Sequence, residues 1–390
     1  MMVLDLGDYI SAPYCTGLFA DYGATVIKLE PPEGDTARHA GPFPQDTPDP
    51  EKSGLFLTLN TNKKGATLNV NTSDGRNILR ELIANAHLLV HNYSPGYLES
   101  LDLSYSALQR INPNIVVTSI TPFGLDGPYR DFQATDLVAF ALTNRMSLHG
   151  MAGREPLNYA PDVVWFQVGS TAAAASVAAV FQSIATGSGR QVEISAIEAM
   201  SGNVDARTVF QQYTGRSFQR GSAGVGYPAG AYPCSDGYIL FAANGERFFR
   251  RLCQAIGRPD VLDDPRWFDP DTRLNHEDEF NAILLPWLLQ RTKREVFTVC
   301  QDSGVMCAPV NNTEDLFEDP QLASRGYFID VDNWVAGRIA QPGPPFKMTE
   351  TPWSIRSPAP MLGQHNKEIY CNYLGYSKSD LVLLRSMGVV

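Results

Sequence analysis

The 390-residue sequence predicts an α/β protein: a doubly wound parallel layer with a smaller α+β unit inserted into it. Three observations carry that expectation. Short apolar runs alternate with helical stretches from Val3 to Ile194, the composition changes abruptly at Ser217, and strand-like segments return after Gln321. The domains are read as 1-215 for the first part of the large layer, 216-325 for the small unit and 326-390 for the return to the layer.

Taken in order, Val3 to Leu6 reads as a strand, the helix opened by Ser11-Ala12-Pro13 runs to Tyr22, and Ala24 to Glu30 is a second strand broken by Pro31-Pro32. This β-α-β unit implies a parallel sheet with ligands at the carboxyl ends of its strands. It has no G-x-G-x-x-G loop, and no G-x-x-x-x-G-K-[ST] follows, so neither a dinucleotide nor a P-loop reading is supported. Leu57 to Leu59 and Gly65 to Val70 read as two short strands around Asn60 to Lys64, with Lys63 and Lys64 as solubilising charges at a sheet edge. Asp74 to Ala86 has apolar residues at helical spacing, His87 to Tyr93 is a strand ending in Asn92 and Tyr93, and Tyr105 to Ile111 is a helix before the strand Ile115 to Ile120.

The stretch Val164 to Thr186 has one glycine, no proline and a run of small side chains, which predicts a helix of some six turns that lets another backbone approach. A turn at Ala160-Pro161-Asp162 precedes it. Its first amides and the positive end of its dipole suit an anion or a thioester oxygen. Val192 to Ile194 is a further strand and Glu198 to Tyr213 a further helix. The glycine- and tyrosine-rich segment Ser217 to Gly237 reads as a boundary and a mobile loop. Tyr238 to Ala242, the loop Asn244-Gly245-Glu246 and helices at Arg247 to Ile256, Asn275 to Leu289 and Lys293 to Asp302 make the small unit. Strands at Tyr327 to Val331 and Gly337 to Gln341 and a helix at Ser379 to Met387 close the chain.

Hydrophobic content of 44% and charged content of 19% suit a soluble, enzyme-sized protein with a sizeable core. The net charge of −11 argues against non-specific binding to nucleic acid or an anionic membrane. Six scattered cysteines without C-x-x-C spacing read as reduced thiols. The N-terminus MMVLDLGDYI has neither the basic region nor the apolar run of a signal peptide or membrane span, so a cytoplasmic protein is expected. H-E-x-x-H and G-x-S-x-G are absent, which removes support for metal hydrolysis and for a serine nucleophile, and His91 and His149 read as ordinary polar residues.

Several blocks, in register over nearly the whole chain, resemble the class III CoA-transferases of the formyl-CoA transferase and CaiB/BaiF type. They are VLDLGDYISAPYCTGLFADYGATVIKLEPPEGDTAR, LNTNKKGATLN, HNYSPGYLESLDLSYSALQRINPNIVVTSITPFGLDGPYRD and ATGSGRQVEISAIEA. The resemblance implies a Rossmann-like large domain built from both chain ends, a smaller inserted domain, and two chains interlocked as rings. It implies CoA exchange between an acyl-CoA and an organic carboxylic acid through a catalytic aspartate, with coenzyme A as substrate and no prosthetic group or metal. Carried over by position, Arg38 falls near the CoA phosphates, Lys64 where a basic residue is frequent, Leu68 and Asn71 by the adenine, Asn92 and Tyr93 beside the nucleotide, and Asn244-Gly245-Glu246 on the loop over the active site.

In the family pattern the catalytic aspartate lies four residues before the glycine entering the long helix. Four residues before Gly169 stands Trp165, and Asp162 is three residues further upstream. Three residues displace a side chain by about 4.5 Å in a helix. Two readings stay open: Asp162 is the nucleophile, or the chain is a non-catalytic CoA-binding subunit of a heteromer whose homologous partner supplies it. The apolar bulk of Trp165 in the acyl pocket weighs toward the second. A 2-methylacyl-CoA racemase is disfavoured, because Thr135 stands where that sibling branch has a histidine.

Overall fold

The structure is a computed structural model that describes residues 1–202, 207–217 and 227–390. The chain divides into two compact units, Met1–Gly221 with Gly326–Val390, and Ser222–Arg325.

The first unit is built on a six-stranded, all-parallel sheet. Its strands are β1 (Met2–Asp5), β2 (Thr25–Glu30), β3 (Lys63–Thr67), β4 (Leu88–His91), β5 (Val116–Thr121) and β6 (Gln191–Ser195), in the order β3-β2-β1-β4-β5-β6. Successive residues of a strand face opposite ways, so each apolar pair feeds two cores. Leu4, Ile27 and Leu89 join one, under α2 (Ser73–Ile83) and α3 (Tyr105–Ile111). Val3, Val26, Leu88 and Val116 join the other, under α1 (Ser11–Asp21), α4 (Asp136–Leu142) and α5 (Val163–Thr186). That double burial is why the strands read as unbroken apolar runs rather than alternating ones.

Helix α5 ends on Gly187 at φ +66, a left-handed cap that a side chain would strain. Within it, a Cβ at Gly169 would lie 2.6 Å from the Ser11 carbonyl oxygen, so the small face does bring another backbone close. By length and composition α5 is apolar enough to cross a bilayer, yet Val164, Val168, Ala172, Ala179 and Ser183 are buried in the fold.

Three expectations change. Leu57 to Leu59 is not a strand: Gly54–Leu59 is a helix because the Ser53 hydroxyl accepts from the Phe56 amide and caps it. Lys63 is not a solubilising charge, since it is wholly buried inside an ion cluster at the edge strand. The helix expected over 198–213 is two, Ala196–Ser201 and Arg207–Thr214, and 203–206 lie outside the described residues.

The second unit carries an antiparallel sheet of β7 (Ala229–Cys234), β8 (Gly237–Ala242) and β9 (Cys307–Pro309) packed on helices including Glu246–Ala255, Glu277–Leu289 and Lys293–Asp302. The glycine-rich stretch read as a mobile loop lies outside the described residues over 218–226, and its far end is strand β7 in a hairpin. Strands β10 (Phe328–Asn333) and β11 (Gly337–Pro342) form an antiparallel pair in the first unit.

Candidate active site

Strand order reverses between β1 and β4, and in open α/β sheets that switch point leaves a crevice at the carboxyl edge. A cavity of about 550 Å3 lies there. The loop after β1 lines it with Tyr9, Ile10 and Ser11, β4 is followed into it by Asn92, and α4 and α5 add Asp136, Asp162 and Trp165.

The β1 loop is held from several sides. The Lys28 ammonium donates to the Gly7 carbonyl at 2.8 Å, Asn92 accepts from the Asp8 amide at 2.8 Å and donates to the Asp8 carbonyl at 2.7 Å, and Asp35 accepts from the Tyr9 amide at 3.0 Å. A Cβ at position 7 would sit 2.4 Å from that of Ala12, so only glycine fits. The turn forces Tyr9 to φ +63, and its hydroxyl then reaches both carboxylate oxygens of Asp162, at 3.2 and 3.3 Å. Asp162 is itself left-handed, at φ +66. Two non-glycine residues in that region, joined across one cavity, hold about 1–3 kcal/mol of strain each, the kind concentrated at functional sites.

Asp162 is the residue before the first turn of α5, where an aspartate ordinarily caps the helix. Its carboxylate makes no such bond. Asp136 does it instead: one carboxylate oxygen accepts from the Val164 amide at 2.9 Å. Burial pushes the Asp136 carboxyl up, the Val164 amide opposes that, and the charge of Asp162 adds to the rise. The Asp162 carboxylate is thereby released from capping and left facing the cavity, with a phenolic donor at its side.

Behind this edge lies a sealed ion cluster. Lys63 donates to Asp5 at 2.9 Å, to Pro13 O at 2.7 Å and to Asn60 at 2.9 Å, while Lys28 pairs with Asp35 at 2.6 Å. Burial alone would raise the Asp5 carboxyl, but Lys28 and then Lys63 hold it below the usual carboxylate range. Arg38, expected near the CoA phosphates, is held by partners of its own. It is 1% exposed, forks onto Glu30 at 2.6 and 2.8 Å, reaches Glu51 at 2.9 Å and Pro360 O at 3.1 Å, and lies over the Phe56 ring. A CoA phosphate at this guanidinium would compete with a buried ion pair.

Of the other residues singled out in the sequence, Asn92, Thr135 and Trp165 join Asp162 in the cavity. Leu68 spends its side chain on the core, so any adenine contact there falls to its backbone. Lys64 is half-exposed and paired with Glu368. Asn71 accepts from the Tyr97 hydroxyl at 2.9 Å, and the Tyr97 ring packs 4.7 Å from Tyr93, so these two share a ridge outside the cavity. Asn244, Gly245 and Glu246 lie in the second unit: the Asn244 carbonyl accepts from buried Arg273 at 2.8 Å, Gly245 precedes a helix, and Glu246 pairs with Arg250. Sequence reading missed Tyr9 and Asp136. The signal for Asp136 was present in Thr135-Asp136, a capping threonine followed by an acid at a helix start.

The sequence matches the family model described as CoA-transferase family III over residues 1–366. It is 33% identical to a formyl-CoA:oxalate CoA-transferase of Streptomyces avermitilis, over 100% of this chain and 98% of that one. It is also 33% identical to the succinyl-CoA:(R)-benzylsuccinate CoA-transferase subunit BbsE of Thauera aromatica, over 97% and 94%. A CaiB/BaiF family protein from Brucella suis shares the fold with a TM-score of 0.86 at 26% identity, over 95% of this chain and 98% of that one.

Proposed function

Because the chain belongs to CoA-transferase family III, we propose that it moves CoA from an acyl-CoA to an organic carboxylic acid with Asp162 as the nucleophile. The observation that carries this reading is the placement of the Asp162 carboxylate at the start of α5, facing the cavity while Asp136 does the capping.

An Asp162 oxygen attacks the thioester carbon, the C–S bond breaks, and CoA leaves as thiolate from a mixed anhydride. The thiolate then attacks the Asp162 carbonyl and expels the donor acid, leaving an aspartyl thioester. The acceptor carboxylate displaces CoA from it, and the thiolate attacks the acceptor's acyl carbon, freeing Asp162. No proton or electron is gained or lost overall. The Tyr9 hydroxyl and the positive end of α5 are what the site offers to the oxyanions. Asn92 and Tyr93 after β4 are the nucleotide side of the site, with Lys64 and Asn71 as outer contacts. The two units correspond to the large and small family domains, and the Asn244-Gly245-Glu246 loop to the family's loop over the acyl group. Val177, Phe181 and Ile184, exposed and apolar on α5, suit a partner chain in an interlocked dimer, and the protein works in the cytoplasm.

A second reading is favoured by Trp165, which stands in the same cavity at the position the family pattern gives to aspartate, and by the relative that is one subunit of its enzyme. In it the chain is the non-catalytic member of a heteromer. Incubation with acyl-CoA, hydroxylamine trapping and peptide mapping separate the two. Modification at Asp162 supports the first, and modification appearing only on an added homologous partner supports the second.

A further inference from the structure

Coenzyme A carries a pyrophosphate and a 3′-phosphate, and a chain with a net charge of −11 has to meet that charge locally. The cations expected on the nucleotide side already have carboxylates: Arg38 has Glu30 and Glu51, and Lys64 has Glu368. Arg130, on the loop after β5, is placed differently. Among the described residues, the carboxylate within 4.0 Å of it is that of Asp131, its exposed neighbour in sequence, at 3.9 Å, and its Nε is buried with no acceptor.

The loop that carries Arg130 is pinned. The Gly124 amide donates to the Thr121 hydroxyl at 2.9 Å, the Leu125 amide donates to Glu193, and the Phe123, Tyr129 and Phe132 rings pack with centroids 5.1 to 6.3 Å apart. This loop lays the guanidinium on the turn that follows Asn92 and Tyr93, where a Cβ at Gly96 would lie 3.0 Å from the Arg130 Nη2. Gly96 stands at φ +83, so the turn needs glycine both for its backbone and for the room it gives the guanidinium. The Arg130 side chain stays 40% exposed, which leaves its fork open to an anion.

We propose that Arg130 binds a phosphate of coenzyme A, its guanidinium holding the nucleotide end of the substrate against the Ser94-Pro95-Gly96 turn. The proposal rests on the reading of the end of β4 as the nucleotide side. A planar guanidinium takes two phosphate oxygens at once, and an anion there offsets a charged donor group that the fold itself leaves short of an acceptor.

The test reads binding, so it does not depend on turnover. Calorimetry of the full chain with coenzyme A, with 3′-dephospho-CoA and, by displacement, with pantetheine compares the wild type with Arg130→Gln and Arg130→Lys. Arg130→Gln is expected to weaken coenzyme A about tenfold or more, the lower end of what a lost charge-assisted hydrogen bond costs. It should leave pantetheine, which has no phosphate, unchanged, and Arg130→Lys should recover part of the loss. A loss that persists with 3′-dephospho-CoA assigns the contact to the pyrophosphate, and one that vanishes assigns it to the 3′-phosphate. Arg130-dependent binding in a chain that transfers nothing keeps this inference while the nucleophile is lost. Unchanged affinity for coenzyme A, or an equal loss for pantetheine as a merely structural role would give, overturns it.

Discussion

The carboxyl edge of one sheet carries two groups of charge that are built in opposite ways. Around Asp5, Lys28, Asp35 and Lys63 every carboxylate meets an ammonium at 2.6–2.9 Å, and the group is sealed from water. Around Asp162 and Asp136, one strained loop away, two carboxylates share an open cavity with amide and hydroxyl donors and, among the described residues, no ion pair. The first group fixes the Gly7-Asp8-Tyr9 loop, and the loop presents Tyr9 to the second. Compensated charge makes the scaffold, and uncompensated charge is what remains for chemistry.

The widest gap between the two should appear on removing Asp162. Asp162→Gly is expected to cut CoA transfer by roughly 10^3-fold or more, as for loss of a covalent nucleophile. The same change relieves a left-handed aspartate and should raise stability by about 1 kcal/mol. Product analysis and the urea midpoint check both halves. Transfer that survives in the variant would break the distinction drawn between the groups. In the sealed group the signs reverse: Lys63→Met leaves Asp5 buried and unpaired, with an expected cost of about 3–5 kcal/mol in urea unfolding. Adding Asp5→Asn should return part of that loss.

The sequence made the scaffold legible and half of the site. Apolar runs separated by helical stretches were enough for the parallel layer, because a strand buried on both faces has no other composition available. Leu57 to Leu59 was misread because two leucines flanking a threonine fit a strand as well as a helix, and only the Ser53 cap decides. Lys63 was misplaced because a cation's partners come from distant strands and loops, and Asp5 and Pro13 are not neighbours that a motif can show. Tyr9 was hidden because its role depends on φ +63, which follows from Lys28, Asp35 and Asn92 acting on the loop together.

His91 extends the contrast to pH. It is buried at the end of β4, its Nδ1 accepts from the Tyr93 amide at 3.3 Å, and its Nε2 meets the Ser119 hydroxyl at 2.8 Å. Burial pulls its pKa from 6.5 down to about 4. The unfolded chain therefore binds the extra proton first as pH falls. The stability contributed by a neutral His91 is whole above pH 6.5 and is lost progressively toward pH 4, by about 3 kcal/mol. His91→Gln should flatten the pH dependence of the urea midpoint in that window. An unchanged slope would show that the imidazole is not held neutral.

The smallest effect is the most discriminating, because it lies on the bond that joins the two groups. Tyr9→Phe keeps the ring, the loop and its backbone anchors, and removes only the hydroxyl that donates to Asp162. If that hydroxyl orients the nucleophile and meets the developing oxyanion, kcat should fall about tenfold, or about 1.4 kcal/mol, with KM little changed. The urea midpoint should move by no more than about 0.5 kcal/mol, since the phenol reaches into a cavity rather than a core. A fall in stability with kcat intact would mean that Tyr9 belongs to the scaffold, and the line between compensated and uncompensated charge would then run through the cavity instead of behind it.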